Sequence, residues 1–222
     1  MKTLALLTIL GLGFAGQGTI DFKPKVGDKN TYAVLATLDI GGQEAQIVAN
    51  LELSTKKADD KMTEVGGKWS DLKIEVGGSE IPVDVSDSTF ELTSTWQPTK
   101  VTGGIDGSDP VQFFLVTRFI PPTEKELTAG MKYKVDVKEV KDQMPEFTYE
   151  GEYVGKETLN GKTVHRFKAE LKGKKEDSLS AKQTILVRED GVVQKVESEF
   201  KNMDVPAANN GKANGKSSLT LK

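Results

Sequence analysis

The sequence predicts a mainly β protein: antiparallel curved sheets, arranged as an open half-barrel or as two related β-meander lobes, with one short buried helix. Three observations carry this expectation. Glycine-containing two-residue turns recur between stretches in which apolar and polar residues alternate, the period of a half-buried strand. One segment, residues 111–120, abandons that alternation for an almost unbroken apolar run. The composition, 36% hydrophobic and 28% charged with 22 glycines in 222 residues, suits many strands with one face in water.

The chain opens with an export-signal pattern. Met1-Lys2 supplies a positive end, residues 3–14 (TLALLTILGLGF) are almost wholly apolar, and Gly13 and Ala15 place small residues for cleavage after Ala15. Roughly a dozen apolar residues fall short of the about 20 that a spanning helix needs, and no second such run follows. Residues 1–15 are therefore read as a signal peptide. The product is expected to be free in the periplasm or outside the cell, with no transmembrane anchor after cleavage. The lack of cysteine excludes a disulfide scaffold, a thiolate zinc site, a cysteine nucleophile and a lipid-modified N-terminal cysteine. A formal net charge of −3 gives no basic footprint for nucleic acid.

The clearest hairpin joins residues 31–40 and 43–54 through Gly41-Gly42. A two-residue turn there sets Leu38 opposite Ala45, Ala36 opposite Ile47, Val34 opposite Ala49 and Tyr32 opposite Leu51. All four pairs are apolar on both sides, so turn chemistry and hydrophobic register agree. Leu72, Ile74 and Val76 mark a strand whose register conflicts with Trp69, which has the opposite parity. Phe90, Leu92 and Trp96 share a face. Met131, Tyr133, Val135 and Val137 alternate with Lys132, Lys134, Asp136 and Lys138. At Asn160-Gly161 strict pairing sets Tyr153 against Lys168, whereas alternation wants Phe147, Tyr149 and Tyr153 inside with Phe167 and Leu171. A one-residue bulge near Gly155 reconciles the two. The Asp190-Gly191 turn places Ile185 opposite Val196 and Val187 opposite Gln194, with Phe200 further along the same face.

Asp109-Pro110 opens the apolar segment and Pro121-Pro122 closes it, which favours a short helix over the alternative of a buried strand. Val111, Phe114, Leu115 and Phe119 make one face, while Phe113, Val116 and Ile120 cover much of the rest. A helix apolar all round belongs inside. Residues 25–29 and 126–132 are similar charged, glycine-containing approaches to Tyr32-Val34 and Tyr133-Val135 respectively. This echo divides the chain into an N-terminal β lobe (16–108), a connecting helix (109–122) and a C-terminal β lobe (123–222). Residues 206–216, low in complexity, are read as a flexible loop before a last strand at 217–221.

Residues 158–164 (TLNGKTV), followed by the hairpin from Ile185 to Val196, resemble hairpins of the bacterial periplasmic lipoprotein-carrier (lipoprotein-localisation) superfamily. Phe119-Ile120-Pro121-Pro122 with Gly130 and Tyr133 is similar to a motif of uncharacterised bacterial secreted β-rich proteins of two-lobe type. The first resemblance implies a curved, incompletely closed antiparallel sheet whose apolar concave face takes acyl chains. No lid helix is evident beyond the 111–120 segment.

Catalytic constellations are sparse. His165, the one imidazole, shares parity with Phe167, Ala169 and Leu171, and no G-x-S-x-G motif supplies a nucleophile for it. Asp84-x-Ser86-Asp87 and Asp106-x-Ser108-Asp109 lack the glycine and distal glutamate of a calcium loop and read as turn stabilisers, with Asp109 as helix cap. No enzyme activity, cofactor or metal is expected. The leading function is binding of an apolar or amphipathic ligand between curved sheets, lined by Tyr32, Val34, Ile47, Tyr133, Phe147, Tyr149, Tyr153 and Phe167. The competing explanation for these residues is that they fill a core. The alternatives are an envelope structural or interaction protein that docks another envelope protein through exposed β edges, and, least favoured, a hydrolase.

Overall fold

The computed structural model of the chain describes residues 18–20, 22, 24–93, 96–106, 110–123, 126–139, 145–205 and 211–222. The signal peptide and its cleavage point, the Asp109 cap with Ser108, and positions 206–210 lie outside the described residues. The strands are β1 (Gly18–Thr19), β2 (Lys29–Ile40), β3 (Gln43–Ala58), β4 (Met62–Val76), β5 (Ser79–Ile81), β6 (Val85–Thr93), β7 (Pro98–Ile105), β8 (Glu126–Leu127), β9 (Lys132–Val137), β10 (Phe147–Leu159), β11 (Lys162–Gly173), β12 (Ser180–Arg188), β13 (Val193–Val205) and β14 (Gly211–Leu221); helix α1 spans Pro110–Thr117.

Twelve strands form one antiparallel sheet, in the order β7-β6-β4-β3-β2-β14-β13-β12-β11-β10-β9 with β5 beside β4. The two halves of the chain occupy the two halves of this sheet and meet where β2 pairs with β14. The ends β7 and β9 do not pair, so the sheet stays open. It is also strongly curved. Helix α1 touches β7 at one edge and both β14 and β13. On a flat sheet β7 and β13 would be roughly 29 Å apart at about 4.8 Å per strand, whereas eight helical residues span about 12 Å. The sheet must curl round the helix as a half-barrel.

The inner face is built in rows. One row of large residues crosses Tyr153, Phe167, Ile185, Val196, Leu219 and Val34 and ends at the smaller Ala49. The neighbouring row is small or polar: Gly151, Ala169, Gln183, Ser198, Ser217 and Ala36. The helix end sits over that shallow row. Gln183 Nε2 donates to Leu115 O and Arg118 O at 3.1 and 3.2 Å, Ser198 Oγ donates to Val116 O, and Ser217 Oγ donates to the same oxygen at 3.2 Å. These are carbonyls at or just beyond the helix end, which need partners from outside the helix. Phe113, Leu115, Val116, Phe119 and Ile120 are all buried and fill the concave side.

The Gly41-Gly42 hairpin has the four apolar pairs expected. The bulge falls between Tyr153 and Gly155 and brings Tyr153 opposite Phe167. Trp69 and Ile74 both reach the core because the β3–β4 register shifts between Val48 and Asn50, where Asp71 adopts φ +51°. Gly27 and Gly130 occupy the same turn: Asp28 N donates to Lys25 O and Met131 N to Thr128 O, and both glycines have positive φ.

Three expectations need correction. The helix stops at Thr117, and residues 118–122 continue as non-helical chain. Val187 lies opposite Val193 rather than Gln194, because the register slips after Leu186. The last strand begins at Gly211, so residues 211–216 are not loop. There the chain is gripped between β13 and β2: Ala213 is fully buried, and a Cβ on Gly215 would stand 2.1 Å from Thr37 O.

Candidate functional site

The eight residues named from sequence share the inner side of the sheet, yet the structure divides them. Phe147, Tyr149, Tyr153 and Phe167 are wholly buried on β10 and β11, with Phe167 packed 5.2 Å from Tyr153 and 4.8 Å from Phe119 between ring centroids. Tyr133 is half-buried over Gly151, and its hydroxyl donates to Ile120 O at 2.8 Å. Val34 and Ile47 lie in the core between β2 and β3. For these seven the space a ligand would take is filled by the chain itself. Tyr32 differs, because it lines a cavity of about 130 Å³ at one open end of the half-barrel.

That cavity is enclosed by β2, β3, β4 and β6, by residues 118–119, and by the turn that joins β12 to β13. Its inner wall is largely apolar: Leu53, Val65, Phe90, Leu92, Trp96 and Phe119. Asp28, Asn30 and Asp190 lie at its mouth, where the backbone turns into water. Phe22, from the N-terminal segment, closes one side with its ring 5.8 Å from that of Phe119. The polar groups on this wall are the Tyr32 phenol, Thr55 and Arg118, whose Cζ sits 5.2 Å over the Phe90 ring. Burial lowers the Arg118 pKa to about 10, opposed by the field of Tyr32, so the guanidinium keeps its charge at neutral pH. Burial likewise raises the Tyr32 phenol, which stays protonated.

Sequence reasoning placed Phe90, Leu92 and Trp96 on one face but did not assign them to a site. A signal was present in Arg118, the one charge within residues 111–120. A charge in such a run must face a partner or an opening.

His165 lies elsewhere. It is fully buried, its Nδ1 is 3.0 Å from the Tyr153 hydroxyl, and its Nε2 meets no hydrogen-bond partner among the described residues. Burial, aided by Lys156 and opposed by Glu189, lowers its pKa. Asp84 O accepts from Asp106 N at 3.0 Å, a link between β-turn segments. No cluster of three or more acidic or histidine residues suited to a metal occurs among the described residues. A broad depression of about 1150 Å³ runs over the charged side of β9–β14 and β2. Its charges answer one another across strands, as in Lys134–Glu150 at 3.5 Å and Lys216–Glu199 at 2.8 Å. Such exposed pairs mark a solvated face. Among the described residues no helix is long and apolar enough to cross a membrane.

No family model matches the chain, and no curated protein matches it in sequence. Among solved structures, a domain from Vibrio parahaemolyticus, provisionally described as an outer membrane lipoprotein-sorting protein domain, aligns over 87% of this chain and 83% of its own, with 10% identity and a TM-score of 0.23. At that score the overlap carries no assignment.

Proposed function

We propose that this is a non-enzymatic β protein of the cell envelope that binds an apolar or amphipathic group in the cavity at the open end of the half-barrel. The observation that carries the reading is the cavity's polarity gradient, from an inner wall that is aromatic and aliphatic apart from Arg118, the Tyr32 hydroxyl and Thr55 to a mouth bearing Asp28, Asn30 and Asp190. An amphipathic molecule enters with its apolar end inward. A cavity of roughly 150 Å³ lined by apolar side chains accepts a benzene-sized group, so the present one holds about six carbons while α1 stays in place. The envelope location rests on the signal pattern of residues 1–15. The non-enzymatic reading is supported by the position of the sole imidazole, locked in the core against Tyr153 rather than in the cavity.

Docking through sheet edges has less support. Edge strand β9 is six residues long and presents Lys132 and Lys134, and β7 begins at Pro98 and is kinked at Gly103-Gly104. Short, charged or proline-bearing edges resist strand addition.

Native mass spectrometry of the gently purified chain, followed by solvent extraction, tests the binding reading. The expected result is an extractable apolar compound that is lost in Leu92→Phe, a variant that fills the cavity while keeping the fold. If the chain carries nothing and binds no apolar probe, the reading falls.

A further inference from the structure

A second, smaller cavity of about 20 Å³ lies deeper, beneath α1, between Trp69, Ser88, Ile105, Phe113 and Thr117. Phe90 and Arg118 line both cavities, and they are the residues the two linings share among those described. We propose that the Phe90 ring and the Arg118 guanidinium stacked on it are the wall that sets how long an apolar chain the protein accepts. This rests on the reading of the outer cavity as a ligand site, and it adds a specificity-determining pair and a ligand class: an unbranched chain lying along the concave face.

The pair is suited to that role. Phe90 is paired through its backbone to Val65 and Val101, and the Arg118 guanidinium stacked 5.2 Å over its ring adds a cation–π contact that favours one ring position. The Arg118 main chain, from which the guanidinium reaches Phe90, is anchored because its carbonyl accepts from Gln183 Nε2 at 3.2 Å. Behind the wall the lining is narrow. A Cβ on Gly67 would stand 3.2 Å from both Leu51 Cδ1 and Phe90 Cε2, and one on Gly103 would meet Asp87 O at 2.0 Å. Gly103 lines the inner cavity through its backbone, and Gly67 packs beside the Phe90 ring, so main chain approaches closely on this side. Ser88 is also kept out of the way, since its Oγ accepts from Trp69 Nε1 at 2.9 Å.

The two tryptophans of the chain report on the two sides separately, Trp96 on the outer cavity and Trp69 on the inner one. The test uses n-alkyl glucosides of increasing chain length, below their micelle concentrations, against the full chain and its Trp69→Phe and Trp96→Phe variants. Each methylene that enters the cavity raises affinity about fourfold, the equivalent of ~0.8 kcal/mol at 1.4 kcal/mol per tenfold. In the unaltered chain the gain levels off near six carbons, with Trp96 responding and Trp69 silent. In Phe90→Ala, or in Phe90→Leu if the alanine variant folds poorly, the gain continues for at least two more carbons and Trp69 responds. An unchanged plateau with Trp69 silent in a folded Phe90 variant overturns the wall while leaving the outer site standing. Absence of binding to any glucoside in the unaltered chain overturns both.

Discussion

At the residue scale the most exacting positions are those where two side chains claim one space. Gly151 carries no side chain because the Tyr133 ring lies across it: a Cβ there would be 2.1 Å from Tyr133 Cζ. Gly151→Ala pushes the ring aside and breaks its hydroxyl bond to Ile120 O, so it should cost about 1–3 kcal/mol by urea unfolding. The same substitution in a Tyr133→Ala background should cost clearly less, since the ring is already gone. His165 makes a pH-dependent prediction. Its folded pKa is depressed, chiefly by burial, so the unfolded chain binds the proton more readily. Its contribution is therefore neutral above the unfolded value of roughly 6.5 and destabilising as pH falls below it, with a slope of at most about 1.4 kcal/mol per pH unit. Urea midpoints between pH 7.5 and 5 should show this loss, and His165→Gln should remove that part of the slope. An identical slope in the variant would assign the acid sensitivity to other groups.

At the element scale the helix is held by the sheet's one shallow polar row. Gln183, Ser198 and Ser217 are buried side by side on the inner face, and their hydrogen bonds to main chain go to carbonyls at the end of α1 and just beyond it. Gln183→Leu leaves the Leu115 and Arg118 carbonyls without that donor. A loss of about 1–3 kcal/mol is expected, with faster hydrogen exchange concentrated in α1 rather than in β10–β12. Much of this level was legible in the sequence. The Gly41-Gly42 hairpin and the bulge beside Gly155 follow from turn chemistry and parity alone. The bulge at Asp71 was visible only as a conflict between Trp69 and Leu72. No glycine marks it, because aspartate tolerates the left-handed conformation and its carboxylate accepts from the Asn50 side chain. The early start of β14 was hidden because its composition resembles a loop. Pairing on both sides overrides that local preference.

At the scale of the whole molecule the first and last long strands join the two halves of the open sheet. β2 pairs with β14, so the two halves are joined by residues nearly a chain length apart. The other pairings of the large sheet join strands consecutive or nearly so in sequence, so docking β2 onto β14 is its long-range step, and folding is expected in roughly the millisecond-to-second range of β-rich topologies. Deleting residues 211–222 uncovers β2 and β13 together. The truncated chain should fail to give a cooperative unfolding transition and should aggregate at concentrations where the full chain stays soluble. The cavity belongs to this scale as well, which is why sequence reasoning named only Tyr32 among its lining. Its walls come from β2, β3, β4 and β6, residues 118–119 and the turn after β12, and no periodicity within one element brings these together. The parity argument identified the inner face correctly but carried no information on what fills it. Phe119, Ile120 and the helix occupy most of the place assigned to a ligand. The central claim is that the half-barrel is plugged by its own chain apart from this largely apolar cavity and the small one behind it. A crystal of the protein under xenon pressure tests it most directly. The account predicts a xenon site bounded by Leu53, Val65, Phe90, Leu92 and Phe119. Ordered water throughout that space, or side chains closed into it with no xenon bound, would contradict the account.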